Sequence, residues 1–277
     1  MKRMALIQRH LLAKKDSYSN NYKPRFEKQV VIVTGGSNGI GMATCEEFAK
    51  EGAYVINADI DEINGQKLIN EINKNFNSNS LFVKTDMMKE DSIKNLVNTT
   101  ISKYGKINVI VNNAMKFILK GFEGSKKEMQ DSLDISTIGP FLLTKHSIKY
   151  LAETKGSVVN IGSISSFIAQ PDVFVYSVGK AAIVQLTKNM ALDLAKYGIR
   201  VNVVCPGAIF TEASKIHAKS IGLSVDEFVK NQSDKIFLGR MGTTFEIAKA
   251  IKFLASNEEA SYITGTHLMI DGGYTAV

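Results

Sequence analysis

The sequence predicts an α/β protein, a doubly wound parallel sheet in a single domain. Short β-branched runs alternate with longer helix-like stretches along the chain. The runs are apolar at consecutive positions, as in strands buried on both faces, and the stretches between them are long enough for the helical crossovers that parallel strands need. A glycine-rich turn separates the first run from the first helix.

In order, "QVVIVTG" reads as a strand, Gly39 to Lys50 as a helix, "AYVINAD" as a strand and Glu62 to Lys74 as a helix. "LFVKTD", "INVIVNNA", "GSVVNIGS", "IRVNVVCPG" and "HLMIDGG" follow as strands, with helices expected near 89–103, 126–151, 176–197 and 244–256. Residues 208–238 break the pattern, mixing Phe210, Ile216, Leu223 and Phe228 with lysines, as a partly helical lid would. Ligands of such sheets bind beyond the carboxyl ends of the strands, so functional residues are expected there.

Charge narrows the function. Residues 1–28 hold eight Lys or Arg against two acids, so nearly all of the formal +7 sits in this extension, read as residues 1–27 preceding a domain at 28–277. A nearly neutral body argues against nucleic-acid binding. No apolar stretch reaches the roughly 18 residues of a membrane span, so stable membrane insertion is not expected. Cys45 and Cys205 stand far apart and read as free thiols in a reducing compartment, and the four scattered His predict no catalytic metal. The first fifteen residues carry five basic groups and no acid, with Met4, Ile7 and Leu11 at helical spacing. A cytoplasmic location is expected, with mitochondrial or other organellar import through this extension as the competing reading.

"TGGSNGIG", Thr34 to Gly41, combines glycines that let the chain approach a pyrophosphate with a helix amino terminus that favours anions. Gly35, Ser37, Asn38, Gly39, Ile40 and Gly41 are its candidate cofactor contacts. Asp59 ends the second strand, where a carboxylate accepts hydrogen bonds from ribose hydroxyls and repels a 2′-phosphate. No cation stands at Ser37, Asn38 or Ile60, so NAD is expected over NADP. Asp86, with Met87, closes the third strand where an adenine edge would lie.

"YSVGK" places Tyr176 and Lys180 four residues apart, on one helix face. A cation about 4 Å from a phenol, at an effective dielectric of about 20, is worth roughly 4 kcal/mol. That is enough to bring the phenol toward physiological pH, where it exchanges protons with a substrate hydroxyl. Ser163 ends the preceding strand, with its hydroxyl placed to hold the substrate oxygen.

From about residue 28 onward the chain resembles the short-chain dehydrogenase/reductase family, a Rossmann-type fold. The motifs occur in family order: "TGGSNGIG", Asp59, "NNA" at Asn112 to Ala114, Ser163, "YSVGK", "PGAIFT" at Pro206 to Thr211, and "IDGG". The resemblance implies that Tyr176 is the general acid/base, that Lys180 also binds the nicotinamide ribose, and that Ser163 orients substrate. It adds Asn113, Ala114, Pro206, Gly207, Ile209 and Thr211 to the cofactor contacts, and implies a homodimer or homotetramer. Two positions depart from the family: Ser136 stands where an Asn usually joins the catalytic relay, and Met115 replaces the glycine of "NNAG". Met115, Phe117, Ile164, Phe167 and Phe174 are candidate pocket residues and suggest a moderately hydrophobic small-molecule substrate. The expected activity is NAD(H)-dependent interconversion of a secondary alcohol and a ketone. The competing reading is a dinucleotide-binding sensor or scaffold.

Overall fold

The computed structural model describes residues 24–276; the helical pattern read over residues 1–15 lies outside them. Seven strands form one parallel sheet in the order β3-β2-β1-β4-β5-β6-β7. They are β1 (Val30–Thr34), β2 (Tyr54–Asp59), β3 (Leu81–Lys84), β4 (Val109–Asn112), β5 (Ser157–Ile161), β6 (Arg200–Pro206) and β7 (His267–Ile270). The chain winds outward from β1 to β3, returns to β4 beside β1, and winds the other way. The gap that this reversal opens beyond β1 and β4 is where such sheets hold ligands.

Side chains alternate across the sheet, so β1 feeds both cores. Val31 and Val33 pack with Phe48, Ile72, Ile251 and Leu254. These belong to α1 (Gly39–Lys50), α2 (Glu62–Phe76) and α9 (Thr244–Ala255). Val30 and Ile32 face the other way, onto Leu96, Leu143, Leu151 and Leu194. Those come from α3 (Glu90–Tyr104), α5 (Gly139–Thr154) and α6 (Phe174–Leu194). Each such side chain contributes about 1.5–3 kcal/mol by leaving water, and replacing the fully buried Leu143 by Ala should cost about 2–5 kcal/mol.

The single helix expected at 126–151 is interrupted. α4 (Lys126–Leu133) passes through a π turn at Asp134–Ile138 into α5. Pro140 explains the break, because it has no N–H to offer the carbonyl of Ser136 four residues back. The ladder slips by one residue, and Gly139 N–H bonds Asp134 O instead. The irregular stretch contains α7 (Glu212–Ser220) and α8 (Val225–Ser233). Among the described residues, no helix is long and apolar enough to cross a membrane.

Candidate active site

The gap at the winding reversal is closed by hydrogen bonds. Thr34 Oγ1 accepts from the main-chain N–H groups of Asn113 and Ala114, each at 3.0 Å. The Asn113 side-chain amide donates back to Thr34 O and Gly35 O, at 3.0 and 2.9 Å. A methyl group added at Gly35 would meet Ala114 Cα at 2.8 Å, and one at Gly41 would fall 2.0 Å from Gly35 O. Both positions therefore require glycine. Asn38 opens α1 without a side-chain cap bond, and the first turn holds no acid. The free N–H groups and positive dipole end suit a phosphate anion.

Asp59 braces this turn: one carboxylate oxygen accepts from Ser37 N at 2.9 Å, the other from Asp61 N at 3.0 Å. Ser37 itself is buried beneath, with its hydroxyl on Asp61 O at 3.3 Å.

A cavity of about 880 Å³ runs from this turn over the ends of β1, β4, β5 and β6. Gly35, Asn38, Gly39, Ile40, Asp59, Ile60, Asp86, Met87, Asn113 and Ala114 line one part. Met115, Phe117, Ser163, Ile164, Tyr176, Lys180, Pro206, Gly207, Ile209 and Thr211 line the rest. The glycine cradle, the uncapped helix end and the carboxylate at the end of β2 fit a nicotinamide dinucleotide.

Tyr176 and Lys180 reach the cavity because α6 packs backbone-close against the preceding helical segment. A methyl at Gly179 would meet Ser132 Oγ at 2.7 Å, Ser132 O at 2.9 Å and Ser136 Cβ at 3.3 Å. Ser132 and Thr137 hydroxyls donate to Val175 O and Gly179 O, fixing the rotation of α6. Lys180 Nζ donates to Ile161 O at 2.8 Å and lies 5.7 Å from the centroid of the Tyr176 ring. Phe117 meets that ring edge-on, with centroids 5.4 Å apart.

Several expectations are corrected. Burial pushes the Tyr176 phenol up to about 12, with the Ser163 hydroxyl opposing that rise, so it is not made acidic in this site. Burial also pushes the Lys180 ammonium down to about 8. Proximity in sequence predicted the charge on Lys180 but not the desolvation that weakens it. Ser136 is buried within the π turn against Gly179, outside the cavity lining, so it touches α6 and not the reacting groups. Ser37 and Gly41 shape the phosphate turn from beneath its surface. Phe167 and Phe174 also lie outside the lining: Phe167 pairs with His267 at 4.8 Å and Phe174 with Phe122 at 5.0 Å.

Polar residues absent from the sequence-based set also line the cavity, among them Lys116, Ser165, Gln170, His217 and Gln232. Ser165 and Gln170 lie between Ser163 and Tyr176 in the chain. A polar residue on that short connection was the available signal. His217 shares a face of α7 with Ala213 and Ser214, a pattern too common to stand out.

The family described as enoyl-(acyl carrier protein) reductase matches residues 35–275. L-fucose dehydrogenase of Bos taurus is 35% identical over 254 residues, covering 90% of each chain. Tropinone reductase-like 2 of Erythroxylum coca is 34% identical over 261 residues, covering 91% of this chain and 92% of that one. A short-chain dehydrogenase/reductase of unknown function from Caenorhabditis elegans, solved with cofactor, superposes with a TM-score of 0.84 at 33% identity, over 92% of this chain and 97% of its own. L-sorbose reductase of Gluconobacter frateurii, complexed with NADPH and L-sorbose, gives 0.87 at 25% identity, over 92% and 100%.

Proposed function

The chain belongs to the short-chain dehydrogenase/reductase family, and from that premise we propose that it interconverts a secondary alcohol and a ketone with NAD(H). One observation carries this reading: Ser163, Tyr176 and Lys180 converge on the same cavity as the glycine turn and Asp59. A bound nicotinamide supplies or accepts the hydride. The protein's residues manage the oxygen. A phenol pushed up to about 12 is protonated at neutral pH, so Tyr176 is set to give its proton to a ketone oxygen. Ser163 holds that oxygen in reach, and the Lys180 cation favours the phenolate as it forms. Alcohol oxidation runs the same transfer backwards, from substrate hydroxyl to Tyr176 oxygen.

NAD is favoured because Asp59 presents a carboxylate at the end of β2, where a 2′-phosphate would be repelled. The L-sorbose reductase neighbour was solved with NADPH, so for the present chain the NAD reading rests on this carboxylate. Apolar lining from Met115, Phe117, Ile164, Phe228 and Met241 supports a substrate with an apolar part. α7 and α8 carry part of that lining and serve as the lid. A homodimer or homotetramer built in part on α6 is supported by the exposure of Val178 and Leu192 on that helix. A cytoplasmic location is the favoured reading, with organellar import through residues 1–27 as its competitor; a reporter fused to that extension separates them.

Tyr176→Phe is expected to abolish turnover, by about 100-fold or more, while NADH binding, followed by its fluorescence, persists. Turnover at the wild-type rate in this variant would exclude the assignment.

A further inference from the structure

Two serines just beyond β5, Ser163 and Ser165, share a hydrogen-bond chain that ends on a side-chain amide. Ser165 Oγ donates to Gln170 Oε1 at 2.5 Å. A carbonyl oxygen only accepts, so the single proton of Ser165 is committed there. Ser163 Oγ donates to Ser165 Oγ over a long 3.3 Å, a weak bond that its proton exchanges for a substrate oxygen, and the Ser165 main-chain N–H donates to Ser163 Oγ at 3.1 Å. Ser163 and Ser165 are buried, each 8% exposed, and Gln170 is half-buried on the cavity wall. Its amide is thus pinned by its oxygen. The nitrogen end makes no hydrogen bond among the described residues, which leaves two N–H donors beside the oxygen-binding Ser163.

We propose that Gln170 binds a second substrate oxygen, carried by the carbon next to the reacting one, so that the substrates are α-oxygenated ketones and the vicinal diols they yield. This rests on the assignment of Tyr176 and Ser163 as the reacting end. The first oxygen sits at Ser163 and Tyr176. The second accepts from Gln170 Nε2. Only one hydroxyl, that of Ser165, separates the two binding groups, a span that oxygens on neighbouring carbons bridge when each keeps its own hydrogen-bond distance. A substrate lacking the second oxygen loses that hydrogen bond and leaves the donors unpaired once the site closes over them. Reduction is balanced as in the parent reaction: the ketone carbon gains a hydride from NADH and its oxygen gains the Tyr176 proton, while the second oxygen is unchanged.

The test compares NADH-dependent reduction of acetoin, diacetyl and butanone, which share one carbon skeleton. The wild-type protein is expected to prefer acetoin over butanone in kcat/KM by about tenfold or more, and Gln170→Ala to bring that ratio to about one. Gln170→Glu keeps an oxygen for Ser165 but has no N–H to give. Diacetyl's second oxygen can only accept, so its advantage over butanone should drop about tenfold in this variant relative to wild type, a comparison in which intrinsic reactivity cancels. NADH binding and melting temperature confirm that each variant is folded. An acetoin preference that survives Gln170→Ala, a diacetyl advantage that survives Gln170→Glu, or a wild-type protein that reduces butanone as well as acetoin, would overturn the assignment of Gln170 alone. A folded, NADH-binding wild-type protein that reduces no ketone and oxidises no secondary alcohol would overturn the Tyr176 reading, and this inference with it.

Discussion

Lys180 Nζ is fastened to the main-chain oxygen of Ile161, the last residue of β5, at 2.8 Å. The ammonium is therefore positioned by the sheet before any ligand arrives, and it is 2% exposed. Burial pushes it down to about 8 from 10.5. Between those values the unfolded chain holds a proton that the folded chain has released, so Lys180 lowers stability at neutral pH and this penalty fades as pH rises through the window. Lys180→Met removes the titration. Its stability relative to wild type, from urea denaturation at pH 7 and pH 10, should fall by on the order of 2–3 kcal/mol between the two. An unchanged difference would contradict the lowered value.

The glycines of the phosphate turn make separate demands. Gly41 has no room, since a Cβ would lie 2.0 Å from Gly35 O. Gly39 has room, with Thr211 Cγ2 the nearest atom at 3.9 Å, but its φ is +55°. Gly39→Ala should cost only about 1–2 kcal/mol, from left-handed backbone strain. Gly41→Ala should cost more than about 3 kcal/mol and abolish NADH binding, because backbone must move. Denaturation midpoints and NADH fluorescence titration rank the two, and equal losses would refute the distinction.

The helix from Gly39 to Lys50 was legible to the residue, because a glycine-rich turn fixes its start and its apolar pattern runs unbroken to the end. Ser163, Tyr176 and Lys180 were legible as one cluster for a related reason: a strand end and one helical turn fix where each side chain begins. Phe167 was not legible. Its ring is claimed by His267, a hundred residues on, and nothing in the local sequence points to that pairing. The π turn could have been read from Pro140, whose missing N–H removes a known rung of the ladder. The protonation of Tyr176 could not, because burial is a property of the assembled fold.

Asp59 should decide the cofactor. The wild-type protein is expected to bind NADH at least about tenfold more tightly than NADPH, as one like-charge contact of about 1.4 kcal/mol requires. Asp59→Asn with Ile60→Arg removes the repulsion and places a cation at an exposed position on the cavity rim. The preference should vanish or invert in fluorescence titrations. Tighter NADPH binding by the wild-type protein would show that the carboxylate does not discriminate. The amide that replaces the Asp59 carboxylate keeps one acceptor for the Ser37 or Asp61 N–H, so a small loss of NADH affinity in the variant is expected as well.

Lys252 holds α9 to α1 through charge. Its ammonium lies 2.9 Å from Glu47 Oε2 and 2.9 Å from Glu51 Oε1, with side-chain exposures of 9%, 9% and 5%. Arg25 also pairs with Glu51, and through Glu259 it ties the start of the described chain to the segment after α9. Burial is the largest single influence on the Glu47 carboxyl and would raise it, but the hydrogen bonds and charges of Lys252 and Lys50 together outweigh it and hold the group below its ordinary 4.5. Lys252→Met leaves two buried carboxylates with Lys50 and Arg25 as their remaining cations, and should cost about 3–5 kcal/mol at pH 7. A carboxylate held low contributes its stability above 4.5 and loses it as pH falls through the folded value. The gap between wild type and Lys252→Met should therefore be widest near neutrality and narrow below pH 4.5, as the wild-type pairing is protonated away. Adding Glu47→Gln to the variant removes the charge of one of the two buried carboxylates and should recover part of the loss at pH 7. Urea denaturation of the three proteins at pH 7 and pH 4 reads both effects. A gap independent of pH would mean that Lys252 acts through the packing of its aliphatic stem and not through its charge.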